Sequence, residues 1–453
     1  MTAPTAAHAP AGKAPPLAMP AMGGGLAPAP GASLRLPGEH FAAALVFLTL
    51  GAVGVTWVAP QLANGVYLSP HVAGVTHLFT LGWLTMTIFG AMYQLLPVAL
   101  GAPVHAEWMG HASFGTFVPG VAVFALGVMR GSHLLHDAGI ALLTIGILLL
   151  VTNVALSLRK ATRRDVTWVA MGSAICFLTL TLVLGWILVH NLNTGVLRLA
   201  RVRVMATHMH VALLGWVFVM IVGMSYRLLP MFLVAHGANT KWTGRSLALL
   251  VPGVLVLGTG LGWSITALAW VGLGLVEGAV VCFLLQARSF FHKRMRKRVD
   301  AGLKHAATAL ITLAVAAALA PVVLAIGFEH PRLAVVYLIL GALGAFTLYV
   351  MGLFYKIVPF LAWITRYRNK MGRERVPTVA QLYSSRVAHV DLGLYIVAMV
   401  GLVAGVASGQ AAVVRGAGVA LILAVLLFVS QMMRAAWGPA PVPAPLPGPG
   451  LKK

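Results

Sequence analysis

Twelve stretches of this chain are apolar over the roughly 20 residues that a helix needs to cross a bilayer. They fall near 40–60, 71–99, 111–130, 136–158, 166–190, 205–233, 245–263, 265–287, 304–328, 333–362, 386–408 and 411–435. The division of 245–287 into two spans rests on its length and on the glycine-rich stretch 258–262. Only 9% of the 453 residues are charged, against about 25% in soluble domains. The expected fold class is therefore an all-α polytopic membrane protein of about twelve transmembrane helices, forming one domain over 38–437.

The formal charge of +23 could suggest a nucleic-acid partner, but its placement argues otherwise. Basic residues crowd alternate loops: Arg159, Lys160, Arg163 and Arg164; then Arg288, Lys293, Arg294, Arg296, Lys297, Arg298 and Lys304; then Arg366, Arg368, Lys370, Arg373 and Arg375. The intervening loops are nearly free of them. Such asymmetry marks cytoplasmic loops. It predicts cytoplasmic termini, a bacterial-type inner membrane, membrane lipid as the surrounding partner and no nucleic acid. Residues 1–37 are rich in Ala, Pro and Gly without a basic start and an apolar core, so they read as a disordered tail; 438–453 read as a Pro-rich tail. Cys176 and Cys282 sit in apolar runs and imply no disulfide framework.

One segment recurs. In ATHMHVALLGWVFVMIVGMSYRLLPMFL (206–233), His210 stands five residues before Gly215-Trp216, followed by Gly223, Tyr226 and Pro230. In 77–97, His77, Gly82-Trp83, Gly90, Tyr93 and Pro97 repeat those offsets. A third copy keeps Gly344, Gly352, Tyr355 and Pro359, with Tyr337 and Ile339 where the second copy has His208 and His210. With the predicted topology, His77, His208 and His210 all lie near the outer ends of parallel helices. Ionisable residues inside spans are costly and usually face a bundle interior or a cofactor. His208 and His210, two residues apart, point about 200° away from each other and serve two different cavities. A low-spin haem takes one imidazole on each face from two helices, and the repeat nominates His77 with His210. The glycines let neighbouring helices or a flat macrocycle approach the backbone, and the two tryptophans either wall a pocket or pack.

The run THMHVALLGWVFVMIVGMSYRLLP resembles the histidine-bearing tenth helix of haem–copper oxidase subunit I, and the H-x-H-x(3)-LGW pattern is closest to the C-type oxidases. The resemblance implies a quasi-threefold arrangement of four-helix arcs, with His77 and His210 as low-spin axial ligands and His208 holding a second haem. It implies an oxidoreductase that passes electrons and reduces oxygen or nitric oxide, with cytochrome c or another redox subunit as partner. The chain departs from the family as well. The H-x-H pair is on the sixth span rather than the tenth, no His-His dipeptide supplies a copper site, and the His-Pro-Glu-Val-Tyr motif is missing. Copper and the standard oxygen chemistry are thus left open. No C-x-x-C-H is present, so the haem implied is b-type.

Other residues invite roles. Arg198, Arg201 and Arg203 break the charge rule just before the histidine pair, and guanidinium forks there suit cofactor carboxylates. His133, His136 and Asp137, with His190, have a spacing compatible with copper or another metal, or are plain loop residues. Glu277 is a carboxylate in mid-span, either a proton-path element or a neutral hydrogen-bonded group; Asp391 reads as interfacial. His8, His40, His292 and His305 read as solvated residues at span ends. Two other functions compete: a non-catalytic haem protein of the nitric-oxide response, similar in architecture, and a twelve-span secondary transporter.

Overall fold

The computed structural model describes residues 34–439 except 199, 236, 238, 239, 296, 297, 328 and 372. The predicted tails lie outside the described residues but for 34–37, 438 and 439, as do His8, His236, Arg296 and Lys297. Twelve helices are long and apolar enough to span a membrane: α1 (Arg35–Trp57), α2 (Pro70–Leu100), α3 (Glu107–Arg130), α4 (His133–Arg159), α5 (Val166–Thr194), α6 (Ala200–Leu233), α7 (Lys241–Trp263), α8 (Thr266–His292), α9 (Ala301–Ile326), α10 (Pro331–Lys370), α11 (Ser385–Ser408) and α12 (Ala411–Trp437). Each expected span has its helix, and 245–287 is indeed two. Residues 35–37, placed by the sequence in the tail, form the first turn of α1.

The helix ends follow local chemistry. Ser132, Asp165, Asp300 and Ser384 accept a hydrogen bond from a backbone N–H two or three residues on, satisfying one of the orphan donors at the starts of α4, α5, α9 and α11. Gly101, Gly131, Gly195 and Gly409 adopt the left-handed conformation that closes α2, α3, α5 and α11.

Consecutive helices pack as neighbours, and α12 returns to pack on α1, so the twelve form a closed ring of three four-helix arcs. The second helix of each arc, α2, α6 and α10, turns inward, and the three meet at the centre. All three carry a π-helical segment at matching places: Leu78–Thr85, Val211–Phe218 and Ile339–Thr347. Such widened turns concentrate at functional sites, and these begin directly below His77 and His210.

The repeated glycines receive the preceding helix. A Cβ on Gly82, Gly215 or Gly344 would lie 2.5, 2.6 or 2.4 Å from Phe47 of α1, Phe177 of α5 or Thr312 of α9. Their role is helix contact, and nothing flat need approach them. The tryptophans pack too: Trp216 Nε1 donates to Thr85 Oγ1 at 2.9 Å, joining α6 to α2, and Trp83 lies against Phe354 of α10. The ring's centre is filled.

Candidate functional site

The upper half of α6 differs from the rest of that helix. From Val211 down it is largely buried, whereas no residue of Ala200–His210 is. A central helix that stays accessible at the level of its histidines borders open space there.

His77 directs Nδ1 at the Ala73 carbonyl (2.7 Å), and His210 does the same to Ala206 (2.8 Å). Nδ1–H is then the donor, and Nε2 keeps its lone pair as a ligand or proton acceptor. That bond alone is not diagnostic, because His40, His305 and His389 also bond the carbonyl four residues back. His305 and His389 differ in the other nitrogen, whereas Nε2 of His40 is likewise without a partner. His305 Nε2 meets Asp391 and His389 Nε2 meets Lys304, while no hydrogen bond takes Nε2 of His77 or His210 among the described residues.

The two histidines of α6 face opposite sides. His208 points to α5, with its Cε1 3.6 Å from the place of a Cβ on Gly185. Its Nδ1 is buried without a hydrogen bond. His77 itself lies edge-on to Phe124 of α3, on the same side of the ring. His210 turns away toward α10, where its ring stacks on Tyr337 with centroids 6.2 Å apart and 24° between planes. The histidine expected to partner His77 turns toward α10, and the other histidine of α6 turns toward α5. His77 and His210 are equivalent positions, and equivalent positions face equivalent but separate spaces.

Beside His210, α6, α7, α8, α9 and α10 line two adjoining clefts. Their walls are almost wholly Leu, Val, Ala and Met. The polar exceptions are His210, Tyr337, Glu277 and, at the mouth, Tyr67. Burial pushes the Tyr67 phenol above its usual range, so it stays a neutral donor. No Lys or Arg lines either cleft.

The remaining candidates are distributed elsewhere. Arg203 donates to Ser264 Oγ (3.0 Å) in the α7–α8 turn, and neither Arg201 nor Arg203 borders the clefts. His133 bonds Asn193, Asn193 bonds both Asp137 oxygens at 3.1 Å, and His136 Nδ1 bonds Asp137 at 2.9 Å. These groups satisfy one another, and His190 is exposed at the end of α5. Among the described residues no three His, Cys, Asp or Glu side chains converge as metal donors.

Sequence reasoning missed two polar clusters at the opposite end, where the basic loops lie. Asp391, read as interfacial, is fully buried; it accepts from Tyr355 and from His305 Nε2 at 2.6 Å. His40 and His305, read as solvated, are likewise fully buried, each beside its repeat tyrosine, Tyr93 or Tyr355. Only His292 of the described three is exposed. The available signal was Gly90 and Gly352, whose missing side chains make room for these histidines.

No protein-family model matches this sequence, and no curated protein matches it. Among solved structures, the chain resembles one in a cryo-EM structure of a heme-copper terminal oxidase dimer. The TM-score is 0.59 at 12% identity, over 91% of this chain and 86% of the other. The resemblance is one of fold: twelve helices in the arrangement expected of the haem–copper oxidase subunit.

Proposed function

We propose that this is a haem-binding membrane redox protein in which His77 and His208 hold one low-spin haem between α2 and α6. The observation that carries the reading is that His77 and His208 stand on neighbouring inward-turned helices and face the α3–α5 sector, whereas His210 faces α10. The residues suit the group. His77 Nε2 keeps a lone pair because Nδ1 is committed to Ala73, a backing that orients the ring and raises its basicity. His208, on the α5 side of α6, would supply the second imidazole. Phe124 covers the flank of His77 and keeps water from it.

When bound, the haem supplies a reversible one-electron iron couple. With both histidines as its ligands, the group would serve electron transfer rather than reduction of oxygen or nitric oxide. The absence of a C-x-x-C-H motif supports a b-type group. The basic loops support an inner-membrane protein whose termini face the cytoplasm, so that the histidines lie toward the outer face and toward cytochrome c or another redox partner. Copper has no supporting donor cluster among the described residues.

Absorption and electron paramagnetic resonance spectra of the purified protein test this. The expected result is a low-spin bis-imidazole haem lost in His77→Ala and in His208→Ala but kept in His210→Ala. Loss in His210→Ala with retention in His208→Ala would restore the pairing suggested by the repeat.

A further inference from the structure

We propose that the end of α10 and the segment after it form a docking platform for an acidic stretch of another protein, one with clustered Asp and Glu. The platform lies where the basic loops lie, the cytoplasmic end in the orientation proposed above. The haem plays no part in it.

The three inward helices part company at one position. In α2 and α6 the residue four past the repeat proline, Gly101 or Val234, is left-handed and ends the helix. In α10 that position is Trp363, which stays helical and donates its indole N–H to the Pro377 carbonyl at 2.6 Å. So α2 and α6 stop at Leu100 and Leu233, seven residues past Tyr93 and Tyr226, whereas α10 reaches Lys370, fifteen past Tyr355. The added residues are about two turns, a rise of about 12 Å. The flanking helices give the level. α9 begins at Ala301 and α11 at Ser385, four and six residues from the His305 and Asp391 that pack on Tyr355. The end of α10 therefore projects past its neighbours.

The projection has its own scaffold. Tyr367, Leu382 and Ala435 make a small core separate from the main one, with Trp363 and Val376 packed on it. Arg366 donates to the Gly438 carbonyl at 2.7 Å, tying α10 to the end of α12. Gln381 Oε1 accepts from the Thr378 N–H at 2.7 Å and caps the short helical turn Val379–Leu382 that leads back to α11. On this base Arg368, Lys370, Arg373 and Arg375 are exposed. Glu374 is the one acid between Arg366 and Arg386, and it is paired with Lys370 at 3.2 Å. A surface ordered in advance loses little freedom on binding.

Charge and height select the occupant. The tails at 1–33 and 440–453 contain no Asp or Glu, and a second copy would present the same basic loops, so the partner is a different molecule. The field of an anionic leaflet is screened over about 8 Å at physiological ionic strength, less than the rise of about 12 Å, so the outermost charges are largely beyond it. A single-stranded nucleic acid would stack on exposed rings, but Trp363 and Tyr367 are turned into the small core. A protein carboxylate cluster fits what is left. Three of the four exposed cations are arginines, whose forks pair with carboxylates through two hydrogen bonds.

The test uses the full chain in phosphatidylcholine nanodiscs, with a fluorescent decaglutamate peptide followed by anisotropy. Binding is expected at low salt and is expected to vanish by about 0.5 M salt. Arg368→Gln, Lys370→Gln, Arg373→Gln and Arg375→Gln together are expected to weaken it roughly tenfold or more. Arg288→Gln, Lys293→Gln, Arg294→Gln and Arg298→Gln remove the same charge from the α8–α9 loop and are expected to leave binding within about twofold. Equal losses from the two sets would make binding a matter of net charge and overturn the proposal, as would a parent protein that does not bind the peptide. Tighter binding of oligouridylate than of decaglutamate would overturn it in favour of nucleic acid. A bimane probe on Met371→Cys that responds to phosphatidylglycerol in the disc and not to the peptide would overturn it in favour of lipid.

Discussion

Asp391 offers a sharp test of how the third arc is held together. Its carboxylate is fully buried between α9 and α10, where it accepts from His305 Nε2 at 2.6 Å and from Tyr355. Replacement by Ala leaves both donors buried with no acceptor. Each abandoned donor costs about 1–3 kcal/mol, and removal of one partner from a buried ionic contact about 3–5 kcal/mol, so Asp391→Ala should cost about 3–5 kcal/mol. Asp391→Asn keeps an acceptor oxygen for one donor and should cost less. Tyr355→Phe deletes a donor and leaves the carboxylate its histidine, costing about 1 kcal/mol. Because Tyr355 and Asp391 share a bond, the double variant should be milder than the sum by about 0.5–3 kcal/mol. Denaturant or thermal unfolding in a fixed detergent reads these differences, with the visible spectrum as a check that the far end is undisturbed. Additive losses, or an Asp391→Ala variant as stable as the parent, would refute the argument that this carboxylate is a shared buried acceptor.

Further outcomes follow from other contacts. Gly215→Val must displace Phe177, which a Cβ would already meet at 2.6 Å, and is expected to destabilise by about 1–3 kcal/mol in the same assay. Thr85→Val removes the acceptor of a buried indole N–H and should cost about 1–3 kcal/mol, whereas Thr85→Ser should restore most of it. A cysteine at Arg163 should react with an impermeant maleimide only after the cell membrane is opened, and one at Ser132 should react in intact cells; the reverse pattern would invert the orientation.

How much of this was readable from residues varies with the physics behind each feature. Span positions were legible because a bilayer sets helix length, and even the uncertain 245–287 resolved as its length implied. The three inward helices were legible from the offsets linking His77, Gly82 and Tyr93 to His210, Gly215 and Tyr226. The π segments were not, since a bond to the fifth residue leaves no mark in hydrophobic spacing. A repeat identifies residues that play the same part, while a site between two helices joins residues that play different parts, so the offsets alone leave the partner of His77 open between His210 and His208. The opposed directions of His208 and His210, taken from helix geometry alone, held. Asp391 and His305 were misplaced because nearness to a helix end in sequence says little about depth once glycines such as Gly352 let neighbours close over them.

The contact of α12 with α1 bears on how the molecule is made. A Cβ on Gly418 would lie 2.7 Å from Thr56, so α1 has a face shaped for α12. During synthesis that face must wait in lipid while ten helices are inserted. Lipid is as apolar as the partner, so the delay costs little for the side chains, but the tight seam cannot form until α12 arrives. The ring therefore closes only once α12 is inserted, and a chain stopped before residue 411 would be inserted, helical and open, with its first arc lacking a wall.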